Sequence, residues 1–432
     1  MQVIDATNSP SEPAKKNIVI FGGGTLFHVK NHLALVAPAY GGTARKLQNL
    51  IKNDSRFSNF TVEMQLTKMA GGNHLETNDD IEAVCRSVIK DPLTKIVIMS
   101  AALCDYVAEG YRINYNSSTS SSIGKYAGRF STSVQHYVSL DLKPSNKIIK
   151  AIRQERKDIF LVGFKTTCGK APDDQYREAL YLCKSASCNL VFANDTRTGY
   201  HMIVTPEEAR YSETKDRNEA LLELLNIIYL RSQLTFTRST VVDGCPVDWL
   251  SPDVPKTLRE VVDFCIQRNA YKPFNGVTAG HFAVKLDDTT FLSSIRKTNF
   301  QNLKNIGLVK IKTDGPDTVL AYGSKPSVGG QSQRIVFKDH PGFDCIVHFH
   351  CLLKDDAKDD IPIISQKEYE CGSHQCGENT SKGLKQFGNI KAVYLNNHGP
   401  NIVFNKETSS KEVIDFIEAN FDLSSKTGGL VS

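Results

Sequence analysis

No stretch of this sequence carries enough consecutive apolar residues to cross a bilayer. The first sixteen residues lack the apolar core of a secretory signal, and they are not Arg-rich like a transit peptide. They read as a short disordered leader. Charge of one sign is also scarce. The net charge of +5 is small for 432 residues. The basic residues are spread out, so neither nucleic acid nor a membrane surface is implied as a partner. The eleven cysteines form no disulfide framework, and their number is odd. Reduced thiols in a cytoplasmic setting are therefore expected. There is no internal repeat and a single tryptophan. What is present is an ordinary globular composition, with 40% hydrophobic residues and length for two or three domains, each able to bury its own core.

From residue 17 to 234, apolar runs alternate with helical periods. Asn17 to Phe21 reads as a buried strand and runs into Gly22, Gly23 and Gly24. A glycine cluster after a strand can hold phosphate on backbone N–H groups. It can equally be no more than a tight turn. The G-x-G-x-x-G spacing of a dinucleotide site is absent. Helical stretches are expected at 43–51, 81–89, 145–156, 175–185, 207–210 and 218–232, with strands at 95–100, 159–164 and 190–193. This alternation implies a doubly wound, mostly parallel sheet of α/β class. Asp105, Lys165, Asn194 and Asp195 fall at the ends of its strands, the edge where such sheets bind ligands. Ser117 to Ser122 reads as a surface insertion.

Gly-Gly-Gly-Thr after the first strand, SAALCDY, LVGFKTTCG and NLVFANDT occur in this order. As a set they resemble the phosphopantothenoylcysteine synthetase family, which is Rossmann-like and activates a carboxylate with CTP or ATP before cysteine attacks. The resemblance implies nucleotide contacts at Ala102, Asp105, Lys125, Gly163, Phe164, Asn194 and Asp195; Gly22, Gly23 and Gly24, from the glycine cluster, and Lys165, from its place at a strand end, join them as candidates. Three departures are visible. Lys165 and Cys168 stand where the family has alanine and threonine. The family's asparagine that acts on the acyl-nucleotide falls near Ala37, and Lys184 is the lone cation before the NLVFANDT strand.

Residues 235–250 carry glycine and proline without a clear period and read as a linker, with Trp249 packing at the junction. From 251 to 432 a helix over 256–268, several short strands, helices at 331–339, 382–387 and 411–420 and a run of β-type residues around His348 suggest an α/β/α domain with a mostly antiparallel sheet. Within it, Ile346-Val347-His348-Phe349-His350 sets two imidazoles on one strand face, since side chains two apart point the same way. An apolar run later ends in Asn396-Asn397-His398-Gly399. Three neutral imidazoles with an open fourth position suit catalytic Zn2+ or another divalent ion. The bland alternative is a set of half-buried strand histidines.

TAGHFAVKL, KPSVGGQSQRIVFKDHPGFDCIVHFH and VYLNNHG together resemble the class II aldolase/adducin family. That resemblance implies metal binding by His348, His350 and His398, a small phosphorylated carbonyl substrate, and substrate contacts at Gly280, His281, Ser293, Ser294 and Ser327, with Arg296, Lys297 and Lys325 nearby. The family's proton-shuttling carboxylate falls on Gly329, which cannot exchange a proton. Glu370 and Cys371, in Glu370-Cys371-Gly372-Ser373-His374-Gln375-Cys376, are candidate catalytic groups, a replacement acid/base and a reactive thiol, and the loop could instead supply a fourth metal ligand. A glycine-rich loop with buried thiols is the plain alternative. His340 and His374 read as solvated or capping. Three functions stay open: a metal-dependent lyase or epimerase, a scaffold that keeps both folds without catalysis, and a CTP- or ATP-dependent cysteine ligase. Both families form oligomers, so a homo-oligomer is expected.

Overall fold

A computed structural model describes residues 15–113, 119–132, 137–327 and 329–429. The leader expected over 1–16 lies outside the described residues apart from 15 and 16, as do 117 and 118 of the serine-rich insertion. The described chain forms two compact units. One comprises residues 1–166 and 181–192, the other 167–180 and 193–432.

In the first unit the strand Lys16–Gly22 lies between Phe60–Leu66 and Thr94–Met99, and the latter pairs with Phe160–Thr167, all in parallel. Ile18, Val19, Ile20 and Ile96 to Ile98 are fully or almost fully buried, as strands covered on two faces must be. The chain moves to one side of the first strand through the helix Gly42–Lys52 and to the other side through Asn78–Lys90. With right-handed crossovers this sends helices to opposite faces, the doubly wound arrangement expected from the sequence. Thr77 and Asp80 close a capping box at the second of these helices. The direction reverses between the ends of Lys16–Gly22 and Thr94–Met99, where Gly24 forms a bridge to Ala102.

In the second unit, ten strands of the described residues build one sheet. The strand Cys345–His348 lies at its centre between His281–Lys285 and Gly399–Phe404, antiparallel to each. Only the edge pairings, Arg238–Val242 with Thr318–Tyr322 and Ile363–Ile364 with Ile390–Leu395, are parallel. The mostly antiparallel sheet expected here is present. Its core gathers Tyr271, Phe282, Phe300, Phe349, Phe404 and Phe421 around Trp249. That tryptophan is fully buried, edge-on to Phe282, and its Nε1–H donates to Asp263.

Two expected helices are corrected. Residues 207–209 belong to a tight turn between the antiparallel strands His201–Val204 and Arg210–Thr214, and Arg210 opens the second of these. Pro206 with two glutamates imitates a helix start, but five residues between paired strands cannot complete two turns. Residues 385–387 form a strand antiparallel to Ile390–Leu395, because the helix His374–Gly383 ends at Gly383 and Leu384 is already extended. No helix is long and apolar enough to cross a membrane among the described residues. All eleven cysteines are free thiols.

Candidate metal centre

Local chain geometry explains why the histidine motifs have their form. His348 ends its strand, opposite His281 on one side and Asn401 on the other. His350, two residues on, presents its ring on the same side. His398 sits in the three-residue loop between Ile390–Leu395 and Gly399–Phe404, whose end residues Leu395 and Gly399 are paired. Asn397 takes a left-handed conformation at φ 59°, which asparagine tolerates better than most residues. Gly399 has φ 136°, and a Cβ there would lie 2.2 Å from the carbonyl oxygen of Phe349. Glycine therefore lets the loop approach the histidine strand closely enough to bring the third imidazole in.

Among the described residues, one group of three or more possible metal-ligating side chains converges: His348, His350 and His398, all buried, with ligand atoms within 4.8 Å of one another. Nε2 of His348 lies 3.1 Å from Nε2 of His398. Two nitrogens on a tetrahedral zinc ion, each about 2.0–2.1 Å from it, stand roughly 3.3 Å apart. The spacing therefore fits an ion of that size. The tautomers fit as well. The Pro400 carbonyl can only accept, so His348 Nδ1–H donates to it at 2.6 Å and Nε2 keeps its lone pair. Nδ1 of His350 faces Oε2 of Glu208 at 3.2 Å, so in the neutral ring Nδ1 carries the hydrogen and Nε2 the lone pair. Burial, reinforced by neighbouring imidazoles, holds His348 and His398 well below the ordinary histidine range. They are neutral, as ligands must be.

The backing of the site was not read from the sequence. Glu208 is fully buried and also pairs with Lys426 at 3.1 Å. It sits in the turn at φ 70°, an uncommon conformation for a non-glycine residue, with a strain of order 1–3 kcal/mol. Tyr176 Oη–H donates to its carbonyl at 2.6 Å. The chain's final segment closes over the histidines. Thr427 N–H donates to the His350 carbonyl and Thr427 Oγ1–H to that of His398. A buried carboxylate at a left-handed position is a strong structural signal, but backbone angles are not visible in a sequence.

His281 stacks beside His348 with ring centroids 4.8 Å apart, and burial followed by the charge of His350 pushes it down to about 3. Gly280 has φ 104°, and a Cβ there would meet the His348 carbonyl oxygen at 2.6 Å. Ser293 and Ser294 are fully buried; Phe282 N–H donates to Ser294 Oγ. Ser327 N–H donates to Ser294 O and Arg296 N–H to Lys325 O. The expected serines and cations thus share one stretch of the sheet. Glu370 and Cys371 stand at a buried ion pair of Arg231 with Glu207 (2.8 Å). Cys371 N–H donates to Glu207, and the charge of Glu370 acts on Arg231. His340 contacts Lys391 and Ser381, and His374 is the first residue of its helix, bonded to Thr237. Gly329 opens the helix Gly329–Asp339.

Of the nucleotide candidates in the first unit, Gly24 and Ala102 meet at its topological switch point. Gly24 N–H donates to Ala39 O, Thr25 N–H to Ala102 O and Ala102 N–H to Gly23 O. These three amides are spent inside the fold. A Cβ on Gly24 would lie 2.0 Å from the Ala37 carbonyl oxygen, so close packing alone calls for glycine there. Asp105 pairs with Lys147 and Lys125 with Glu76. A Cβ on Gly163 would face Cys188, Ile149 and Leu182, and Phe164 packs on Phe192. Lys165 follows on the same strand. Asn194 and Asp195 belong to the second unit. Burial opposes ionisation of Asp195, but N–H groups of Thr198, Lys170 and Gly169 and the Thr167 hydroxyl outweigh it and hold the carboxyl low. Asp195 ties two loops together through those bonds.

Residues 259–413 match the model of the Class II Aldolase and Adducin N-terminal domain. No curated protein matches the sequence. Solved structures similar to the chain include a DNA/pantothenate metabolism flavoprotein from Streptococcus pneumoniae, at 19% identity and TM-score 0.40, covering 50% of this chain and 99% of that one. The C-terminal domain of the coenzyme A biosynthesis bifunctional protein CoaBC gives 16% identity and TM-score 0.34, covering 50% and 94%. An L-fuculose 1-phosphate aldolase gives 16% identity and TM-score 0.29, covering 39% and 83%.

Proposed function

We propose that this chain, whose residues 259–413 carry a class II aldolase and adducin domain, is a metal-dependent lyase or epimerase acting on a small phosphorylated carbonyl compound. One observation carries the reading: three buried imidazoles converge with ligand atoms within 4.8 Å of one another, and burial keeps two of them, His348 and His398, neutral. His348, His350 and His398 would hold Zn2+ or another divalent ion. Such an ion supplies Lewis-acid polarisation of a carbonyl or hydroxyl oxygen. The Pro400 carbonyl orients the His348 ring, and Thr427 holds the backbone carbonyls of His350 and His398. Arg296, Lys297 and Lys325, beside Ser294 and Ser327, offer positive charge for a phosphate.

Element analysis of the purified protein is expected to give about one divalent ion per chain. Turnover of a panel of phosphorylated ketoses and aldoses should vanish on chelation and return with Zn2+. Absence of the ion would overturn the reading. A loaded site with no turnover favours the scaffold reading, which Gly329 specifically supports, because the helix it opens carries no proton-exchanging group at that position. A homo-oligomer and a cytoplasmic location go with the proposal; light scattering checks the first. CTP or ATP binding by the first unit, and the ligase reading with it, is tested by equilibrium dialysis and by turnover with phosphopantothenate and cysteine.

A further inference from the structure

The metal reading leaves one group unused: a carboxylate with no exposed surface, placed against a candidate ligand from 142 residues away. Its turn lies outside residues 259–413, as does Lys426. We infer that Glu208 is the positioning residue of His350 and sets the affinity of the site for a divalent ion. The inference rests on the metal reading and extends it.

The orientation of Glu208 is fixed from several directions. Thr205 N–H donates to Ala209 O and Glu208 N–H to Thr205 O, closing the turn. Tyr176 holds the Glu208 carbonyl. Gly428 packs so tightly that a Cβ on it would lie 2.4 Å from that same oxygen. Oε2 then meets both His350 Nδ1 and Lys426 Nζ. A structural ion pair needs the lysine alone. The imidazole contact adds a hydrogen bond that selects the Nδ1–H tautomer, fixes the ring plane and makes Nε2 more basic. Carboxylate–histidine–metal chains work in this way. His348 has a neutral carbonyl in the corresponding place, so His350 is the only one of these two ligands backed by a charge. A domain limited to the family-matching segment would lack that charge.

The test compares the 432-residue wild type, Glu208→Gln and the double variant Glu208→Met/Lys426→Met, which removes both members of the buried pair if the single variant folds poorly. Zn2+ affinity is measured by competition with a chromophoric chelator at neutral pH. Both variants should bind Zn2+ about 10–100-fold more weakly than wild type. In the double variant, 15N spectra of the metal-free protein should show the His350 ring losing its Nδ1–H preference, a change that loss of packing alone does not cause. Affinities within twofold of wild type, with wild type holding one ion, would overturn the role of Glu208 and leave the metal site standing. A wild type that takes up no stoichiometric ion would overturn both.

Discussion

Lowering the pH of the metal-free protein should destabilise the second unit steeply, well before carboxylates titrate. His281, His348 and His398 are 5%, 1% and 2% exposed, and each resists protonation chiefly because it is buried. The unfolded chain takes up those protons below about pH 6.5, whereas the fold refuses them, in the case of His281 down to about 3. Stability is therefore full above the ordinary histidine range and declines as pH falls through it. Between about pH 7.5 and about pH 5.5 each such imidazole costs about 1.4 kcal/mol, so three cost roughly 4 kcal/mol. For a unit of this size that lowers the melting temperature by about 8–16 °C. Scanning calorimetry of chelator-treated protein across this range measures it. His281→Gln should remove about a third of the slope, and Zn2+ should move the decline to lower pH because ion and protons compete for the same lone pairs. A melting temperature that stays flat over this interval would refute the neutral, buried state of the histidines.

Three further outcomes are expected. His398→Ala should lower Zn2+ affinity by more than about 100-fold, a larger loss than an outer hydrogen-bond partner causes, read by the same chelator competition. Lys426→Met should cost about 3–5 kcal/mol because it removes the lysine charge that faces the buried Glu208 carboxylate, and denaturant unfolding would show the shift in midpoint. Gly280→Ala should destabilise by at least about 1–3 kcal/mol through its left-handed backbone alone, before the approach to the His348 carbonyl is counted; unchanged unfolding would show that the strand can yield there.

The parts of the fold legible in the sequence are those written in local periods. Asn17 to Phe21 and the helical spacing of Leu258, Val261, Val262 and Cys265 announce a buried strand and an amphipathic helix without reference to anything distant. The i, i+2 spacing of His348 and His350 and the Asn-His-Gly turn are local in the same sense. Glu208 is not. Its partner is far along the chain, and its left-handed backbone is chosen by the strands around it rather than by its own type. The same limit produced the false helix at 207–210, where Pro206 and acidic residues imitate a cap. Glu370 and Cys371 drew notice through composition, yet what surrounds them is the Arg231–Glu207 pair, which no spacing rule could supply.

The lone tryptophan has a practical consequence. Trp249 is sealed within the second unit, against Phe282 on the strand that pairs with the histidine strand. All indole emission therefore originates from that unit and none from the parallel-sheet unit. Comparing tryptophan fluorescence with a whole-chain signal such as far-ultraviolet dichroism during denaturation shows whether the second unit unfolds with the rest of the chain or apart from it, and a spectral shift on adding Zn2+ would report ordering next to the imidazoles in real time.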